Sequence, residues 1–90
     1  MKYTVYILQS FKLGRYYIGS SSDVVVRLTR HNSDGSPATR LGRPWQIVYQ
    51  EVYETRAQAN AREKQIKSYH GGEAFKKLIL KHYTPSGEIA

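Results

Sequence analysis

Residues 2 to 9 run Lys-Tyr-Thr-Val-Tyr-Ile-Leu-Gln, dense in β-branched and aromatic residues. The alternation predicts a strand with Tyr3, Val5 and Ile7 on one face and Lys2, Thr4, Tyr6 and Leu8 on the other. Ser10 to Leu13, followed by Gly14, have turn composition, and Arg15 to Gly19 resume the strand pattern, so the two segments predict an antiparallel hairpin. A loop at residues 10–13 sets Gln9 opposite Gly14. Counted outward, Tyr6 then faces Tyr17 and Thr4 faces Gly19.

Ser22 is positioned to cap a helix whose first residue is Asp23 and which continues through Asn32 until Gly35 stops it. Val24 and Leu28 mark its buried stripe, and Arg27 and His31, four residues apart, lie side by side at the border of that stripe. Residues 35–44 have loop composition, with Arg40 and Arg43 as the charges. From Trp45 to Tyr53 the chain alternates Trp45, Ile47 and Tyr49 with Gln46, Val48 and Gln50, which predicts a third strand. Thr55 and Gln58 have capping-box spacing, and start a second helix to about Tyr69 that Gly71-Gly72 ends. Glu73 to Lys81 predict a third helix with Phe75, Leu78 and Ile79 on its apolar side. The order β-β-α-β-α-α is that of an α+β sandwich, with a three-stranded, largely antiparallel sheet flanked by helices. Residues 1–83 are expected to form one domain and residues 84–90 a loose tail.

Composition narrows the class. Ninety residues, 40% of them hydrophobic, suffice for one core and not for two. The absence of cysteine excludes a disulfide framework and a thiolate zinc site. No basic-then-apolar leader opens the chain and no apolar run is long enough to cross a bilayer, so the expectation is a cytoplasmic protein. Fourteen Lys and Arg against seven Asp and Glu give a net charge of +7, which suits a polyanion, nucleic acid first.

Hydrolysis of a phosphodiester needs a positioned water, compensation for charge on the phosphoryl oxygens, and help for the leaving oxygen, usually from a metal. Glu63 stands between Ala59 and Ile66 and so puts a carboxylate into an otherwise apolar helix stripe. As a hard oxygen ligand it suits Mg²⁺ or Mn²⁺. An isolated helical Glu is more often the partner of a nearby lysine. Arg27 has the fork geometry to clamp a phosphate, and His31 titrates near neutrality. Tyr6 and Tyr17 can orient water or, with a lowered pKa, accept its proton. Which of Tyr6, Tyr17 or His31 takes that proton stays open at this level. Gly19 removes a side chain beside them, either for close approach of a phosphate or as a strand end.

Thr4-Val5-Tyr6 and Tyr17-Ile18-Gly19 are followed by Asp23 to Arg27, His31-Asn32-Ser33, Arg43-Pro44-Trp45 and Ala61-Arg62-Glu63-Lys64-Gln65-Ile66-Lys67. Over roughly residues 3–80 this order resembles the GIY-YIG nuclease domain, especially its short stand-alone bacterial members. It is also similar to the N-terminal domain of the excision-repair incision subunit and to structure-specific resolving nucleases. The resemblance implies Tyr6, Tyr17, Arg27, His31 and Glu63 as the active site, with Glu63 as ligand of Mg²⁺ or Mn²⁺. It implies structured or branched DNA as substrate, in repair or recombination, with a protein partner as a further source of specificity. Arg30, Arg40, Arg43, Lys64 and Lys67 are assigned to the DNA backbone. The chain departs from the pattern at Thr4, where the first motif opens with glycine, and at Ser20, where the repair branch has lysine. An asparagine found after the family glutamate has no counterpart in Glu73-Ala74-Phe75. Two other readings are a nucleic-acid-binding module without catalysis and an adaptor for an acidic protein, separable by cleavage and by salt-sensitive binding.

Overall fold

The computed structural model describes residues 1–33 and 40–82. The predicted stop at Gly35 and the tail at 84–90 lie outside these residues. Three strands, β1 (Tyr3–Ser10), β2 (Tyr16–Ser21) and β3 (Trp45–Tyr53), and three helices, α1 (Val24–Asn32), α2 (Arg56–Lys67) and α3 (Glu73–His82), follow in the expected order. The sheet order is β2-β1-β3, with both pairings antiparallel. The central strand is therefore buried on both faces, and Val5, Tyr6, Ile7 and Leu8 are all fully enclosed.

Two cores result, one on each face. Val5 and Ile7 pack with Ala59 and Ile66 of α2 and Phe75 of α3, while Tyr6 and Leu8 pack with Trp45 and with Val24 and Leu28 of α1. Thus α1 covers one face of the sheet, and α2 and α3 cover the other. Burial of these side chains contributes about 25 cal/mol for each Å² of apolar surface removed from water.

The hairpin corrects the predicted register. β1 runs on to Ser10, whose Oγ accepts from the amides of Lys12 and Leu13, and Ser10 N donates to Arg15 O at 2.8 Å. Gly14, at φ +71°, closes the turn in the left-handed region. The turn is longer than 10–13, so Gln9 pairs with Tyr16 and not with Gly14. Tyr6 consequently faces Gly19, and Tyr17 faces Leu8. A slip of two residues preserves side-chain parity, so the two tyrosines still share a face, now as a diagonal pair.

Two further corrections have local causes. Asp23, not Ser22, caps α1: its carboxylate accepts from Val26 N at 3.1 Å, and the helix starts one residue later than predicted. On β3, the register shifts between Ile7 and Leu8, whose partners are Tyr49 and Ile47, leaving Val48 as the extra residue of a bulge. Simple alternation therefore fails. Trp45 and Ile47 join the α1 core, whereas Tyr49 joins the core beneath α2. At α2 the capping box is present as predicted, with Thr55 Oγ1 accepting from Gln58 N and the Gln58 side chain from Thr55 N.

Candidate active site at the edge strand

Tyr6 projects from the central strand under Gly19 of the edge strand. A Cβ on Gly19 would stand 2.7 Å from the Tyr6 hydroxyl and 3.1 Å from the Tyr17 ring, so only glycine admits the phenol here. This close approach, within the strand and not at its end, is the structural reason for the residue. The Tyr6 hydroxyl reaches His31 Nε2 at 3.4 Å. The Tyr17 ring lies 4.7 Å from the His31 ring and 6.5 Å from that of Tyr6, completing an aromatic triangle.

His31 is placed by its neighbour. The Asn32 amide donates to Trp45 O at 3.1 Å and accepts from Trp45 N at 2.5 Å, clamping the end of α1 to the start of β3. Asn32 and Trp45 belong to the motifs quoted above, but the clamp needs two segments thirteen residues apart in sequence to meet, which no periodicity reveals. Gly42 adds to it, because a Cβ there would strike the Trp45 ring at 2.5 Å.

Arg27 stands beside both titratable groups. Burial raises the Tyr6 pKa above its ordinary value, and the Arg27 charge opposes that rise. Burial lowers the His31 pKa, and the charges of Arg27 and Arg30 lower it further. His31, at 2% exposure, is therefore held as the neutral base, and Tyr6 as the protonated phenol. Arg27 Nε is buried with no hydrogen-bond partner. A buried guanidinium N–H without an acceptor is costly unless a ligand supplies one.

Glu63 arrives from the other side. It belongs to α2, between the buried Ala59 and Ile66 as the apolar stripe predicts, and so lies across the sheet from α1. The connection runs round the edge strand: Ser20, next to Gly19, donates to Glu63 Oε1 at 2.7 Å, and the Glu63 charge raises the Tyr6 pKa slightly further. Ser20, which replaces the lysine of the repair branch, thus orients the carboxylate. Lys67 Nζ pairs with Glu63 Oε2 at 2.8 Å.

The other basic residues are scattered. Arg30 and Lys64 are exposed, and Arg43 donates to Ser33 O at 2.8 Å beside the end of α1. Arg40 opens a 3₁₀ turn, Arg40–Gly42, and its side chain lies outside the description. A cavity of about 560 Å³ opens beside Tyr17, lined also by Lys12, Arg15, Tyr16 and Trp45. Lys12 and Arg15 went unremarked in the sequence because nothing in a hairpin turn announces that it borders a hollow.

A second polar cluster was also missed. Glu51 on β3 accepts from the hydroxyls of Tyr49 and Tyr53 and from Arg62 Nε and Nη2 at 2.9 and 3.0 Å. Burial alone would raise the Glu51 pKa; the hydrogen bonds from Arg62, Tyr49 and Tyr53 outweigh it and take the carboxyl to about 2. Burial and the bond to Glu51 push Tyr49 up to about 12.

Among the described residues no three His, Cys, Asp or Glu side chains gather to form a metal cage. A cation at Glu63 would be held by this carboxylate together with water and substrate oxygens, a hard-oxygen donor set that suits Mg²⁺. No described helix is long and apolar enough to cross a membrane.

Comparison with known proteins bears on the family and the fold. A family model described as the GIY-YIG catalytic domain matches residues 2–78. A UPF0213 protein of Staphylococcus saprophyticus is 38% identical over 69 residues, covering 76% of this chain and 83% of the relative. A UPF0213 protein of Staphylococcus aureus is 44% identical over 57 residues, covering 62% and 70%. The solution structure of a UPF0213 protein from Bacillus halodurans is 28% identical and superposes with a TM-score of 0.55, covering 98% of this chain and 92% of that one.

Proposed function

The chain belongs to the GIY-YIG catalytic-domain family, a nuclease family that acts on DNA, and from that premise we propose that it is a divalent-metal-dependent endonuclease hydrolysing DNA phosphodiester bonds. The observation that carries the reading is the buried, unpartnered Arg27 Nε beside a neutral His31 and a protonated Tyr6. A phosphoryl oxygen is the acceptor that such a guanidinium fits best.

Glu63 would hold Mg²⁺ or Mn²⁺, its carboxylate oriented by Ser20. Bound there, the cation supplies charge compensation for the phosphoryl oxygens and the leaving oxygen. Arg27 holds the scissile phosphate and neutralises the charge that builds on it. Tyr17, half-buried and bordering the open cavity, orients the attacking water. His31 accepts the proton that water loses, because burial and the charges of Arg27 and Arg30 favour its neutral, basic form. Tyr6, with its phenolate disfavoured, contacts His31 Nε2 through its hydroxyl and relays the proton to that nitrogen, giving its own to His31 as it takes the water's. Lys12 and Arg15 at the cavity, with Arg30 and Lys64, meet flanking phosphates.

The test is a panel of labelled branched, flapped, single-stranded and duplex DNAs, each incubated with the protein in Mg²⁺, in Mn²⁺ and in chelator. Strand nicking in metal, stopped by chelator, is the expected result. Salt-sensitive binding to every member of the panel without any cleavage would replace the enzyme by a binding module.

A further inference from the structure

We propose that Lys67 is a built-in counter-ion that occupies one oxygen of Glu63 until a divalent cation displaces it, so that metal loading at this site is an exchange of cations. The proposal rests on the reading of Glu63 as the metal ligand.

The two carboxylate oxygens are engaged in different ways. Oε1 accepts from the Ser20 hydroxyl at 2.7 Å, a neutral bond from the edge strand that fixes orientation and leaves the charge uncompensated. Oε2 is held by Lys67 Nζ at 2.8 Å, which compensates the charge directly. Any cation that binds this carboxylate must contend with that ammonium, by direct competition for Oε2 or by repulsion across a few ångströms. The geometry favours the pair when metal is absent: Glu63 precedes Lys67 by four residues, the better of the two orders on a helix. Lys67 also lies in the last turn of α2, where the helix dipole favours a positive charge.

The same pair is built to yield. The Lys67 side chain is 54% exposed and that of Glu63 20%, so the ammonium can leave along its flexible stem into water. Contrast Arg62, which binds Glu51 through two nitrogens at 21% exposure. One helix thus carries a fixed arginine–carboxylate clamp and, a turn further on, a displaceable lysine–carboxylate contact.

The experiment is a Mn²⁺ titration of the whole chain without DNA, following free Mn²⁺ by electron paramagnetic resonance. It compares wild type with Lys67→Gln, Lys67→Arg and Glu63→Gln, each checked for folding by circular dichroism. Lys67→Gln should bind Mn²⁺ tighter by about threefold or more, the order expected for removing one partly solvated charge. Lys67→Arg, which keeps the charge, should stay near wild type, and Glu63→Gln should abolish the site. Saturable binding that is lost in Glu63→Gln but equal or weaker in Lys67→Gln overturns the exchange and leaves the metal assignment standing. Absence of saturable binding in both wild type and Lys67→Gln overturns the exchange together with that assignment.

Discussion

Two polar clusters flank the sheet of this small domain, and both contain two tyrosines, one arginine and one glutamate, the second with a histidine besides. In the cluster of Tyr49, Glu51, Tyr53 and Arg62, both carboxylate oxygens are engaged by arginine nitrogens and phenols, and Glu51 is driven down to about 2. In the cluster of Tyr6, Tyr17, Arg27, His31 and Glu63, the arginine Nε has no acceptor, the Tyr6–His31 contact is long at 3.4 Å, and the carboxylate lies round a sheet edge from the arginine. The first set is complete as it stands and ties α2 to β3. In the second, Arg27 Nε lacks an acceptor, and Glu63 is held by Ser20 and by the exposed Lys67; under the proposed function a phosphodiester would supply the anion to Arg27 and its metal would take the place of Lys67. Polar residues that satisfy one another are scaffold; those held close and left unsatisfied are a site.

The sharpest way to break this contrast is at glycine. Gly19→Ala should push the Tyr6 phenol off its place and reduce cleavage by about a hundredfold, the cost of misplacing a reacting group by an ångström. Overpacking should also lower stability by about 1–3 kcal/mol. Gly14→Ala, strained at φ +71° but with nothing within 4 Å, should cost stability while leaving the rate on folded protein unchanged. Equal loss of activity in both variants would mean that Gly19 matters for folding alone.

A smaller effect separates the clusters by pH. His31 has a lowered pKa in the folded state, so its contribution to stability is present above its ordinary value of about 6.5 and is lost as pH falls toward its folded pKa. Glu51 is also lowered, so its contribution, of order 3 kcal/mol, is present above 4.5 and is lost as pH falls to about 2. Urea denaturation across pH should therefore show two descending limbs toward acid. His31→Asn should flatten the upper limb and Glu51→Gln the lower; an unchanged upper limb in His31→Asn would mean that His31 is not held neutral by burial.

The elements were legible because each has a local signature: alternation in residues 3–10 and 45–53, a capping box at Thr55, and Gly71-Gly72 after α2. What escaped were the places where a single residue changes the count. Ser10 lengthened the hairpin turn and slid the register by two, and Val48 formed a bulge that sent Tyr49 to the opposite face from Trp45. The five proposed site residues come from a motif order that resembles a known family, and four of them, Tyr6, Tyr17, Arg27 and His31, gather on the α1 face. That Glu63 meets them only round the edge strand, through Ser20, depends on which strand is central, and strand order has no local signature. The Glu51–Arg62 network stayed hidden for the same reason, since it requires the bulge before its residues can meet.

The most direct measurement pairs the two arginines, comparing DNA cleavage in Mg²⁺ and thermal unfolding for Arg27→Ala and Arg62→Ala, with rates taken on folded protein well below both transitions. Arg27→Ala should lose cleavage by about a hundredfold or more with little change in melting temperature. Arg62→Ala, which leaves the partly buried Glu51 without its cation, should lose about 1.5–3 kcal/mol of stability while its folded fraction cuts at nearly the wild-type rate. An Arg27→Ala protein that still cleaves at the wild-type rate would contradict the account at its centre.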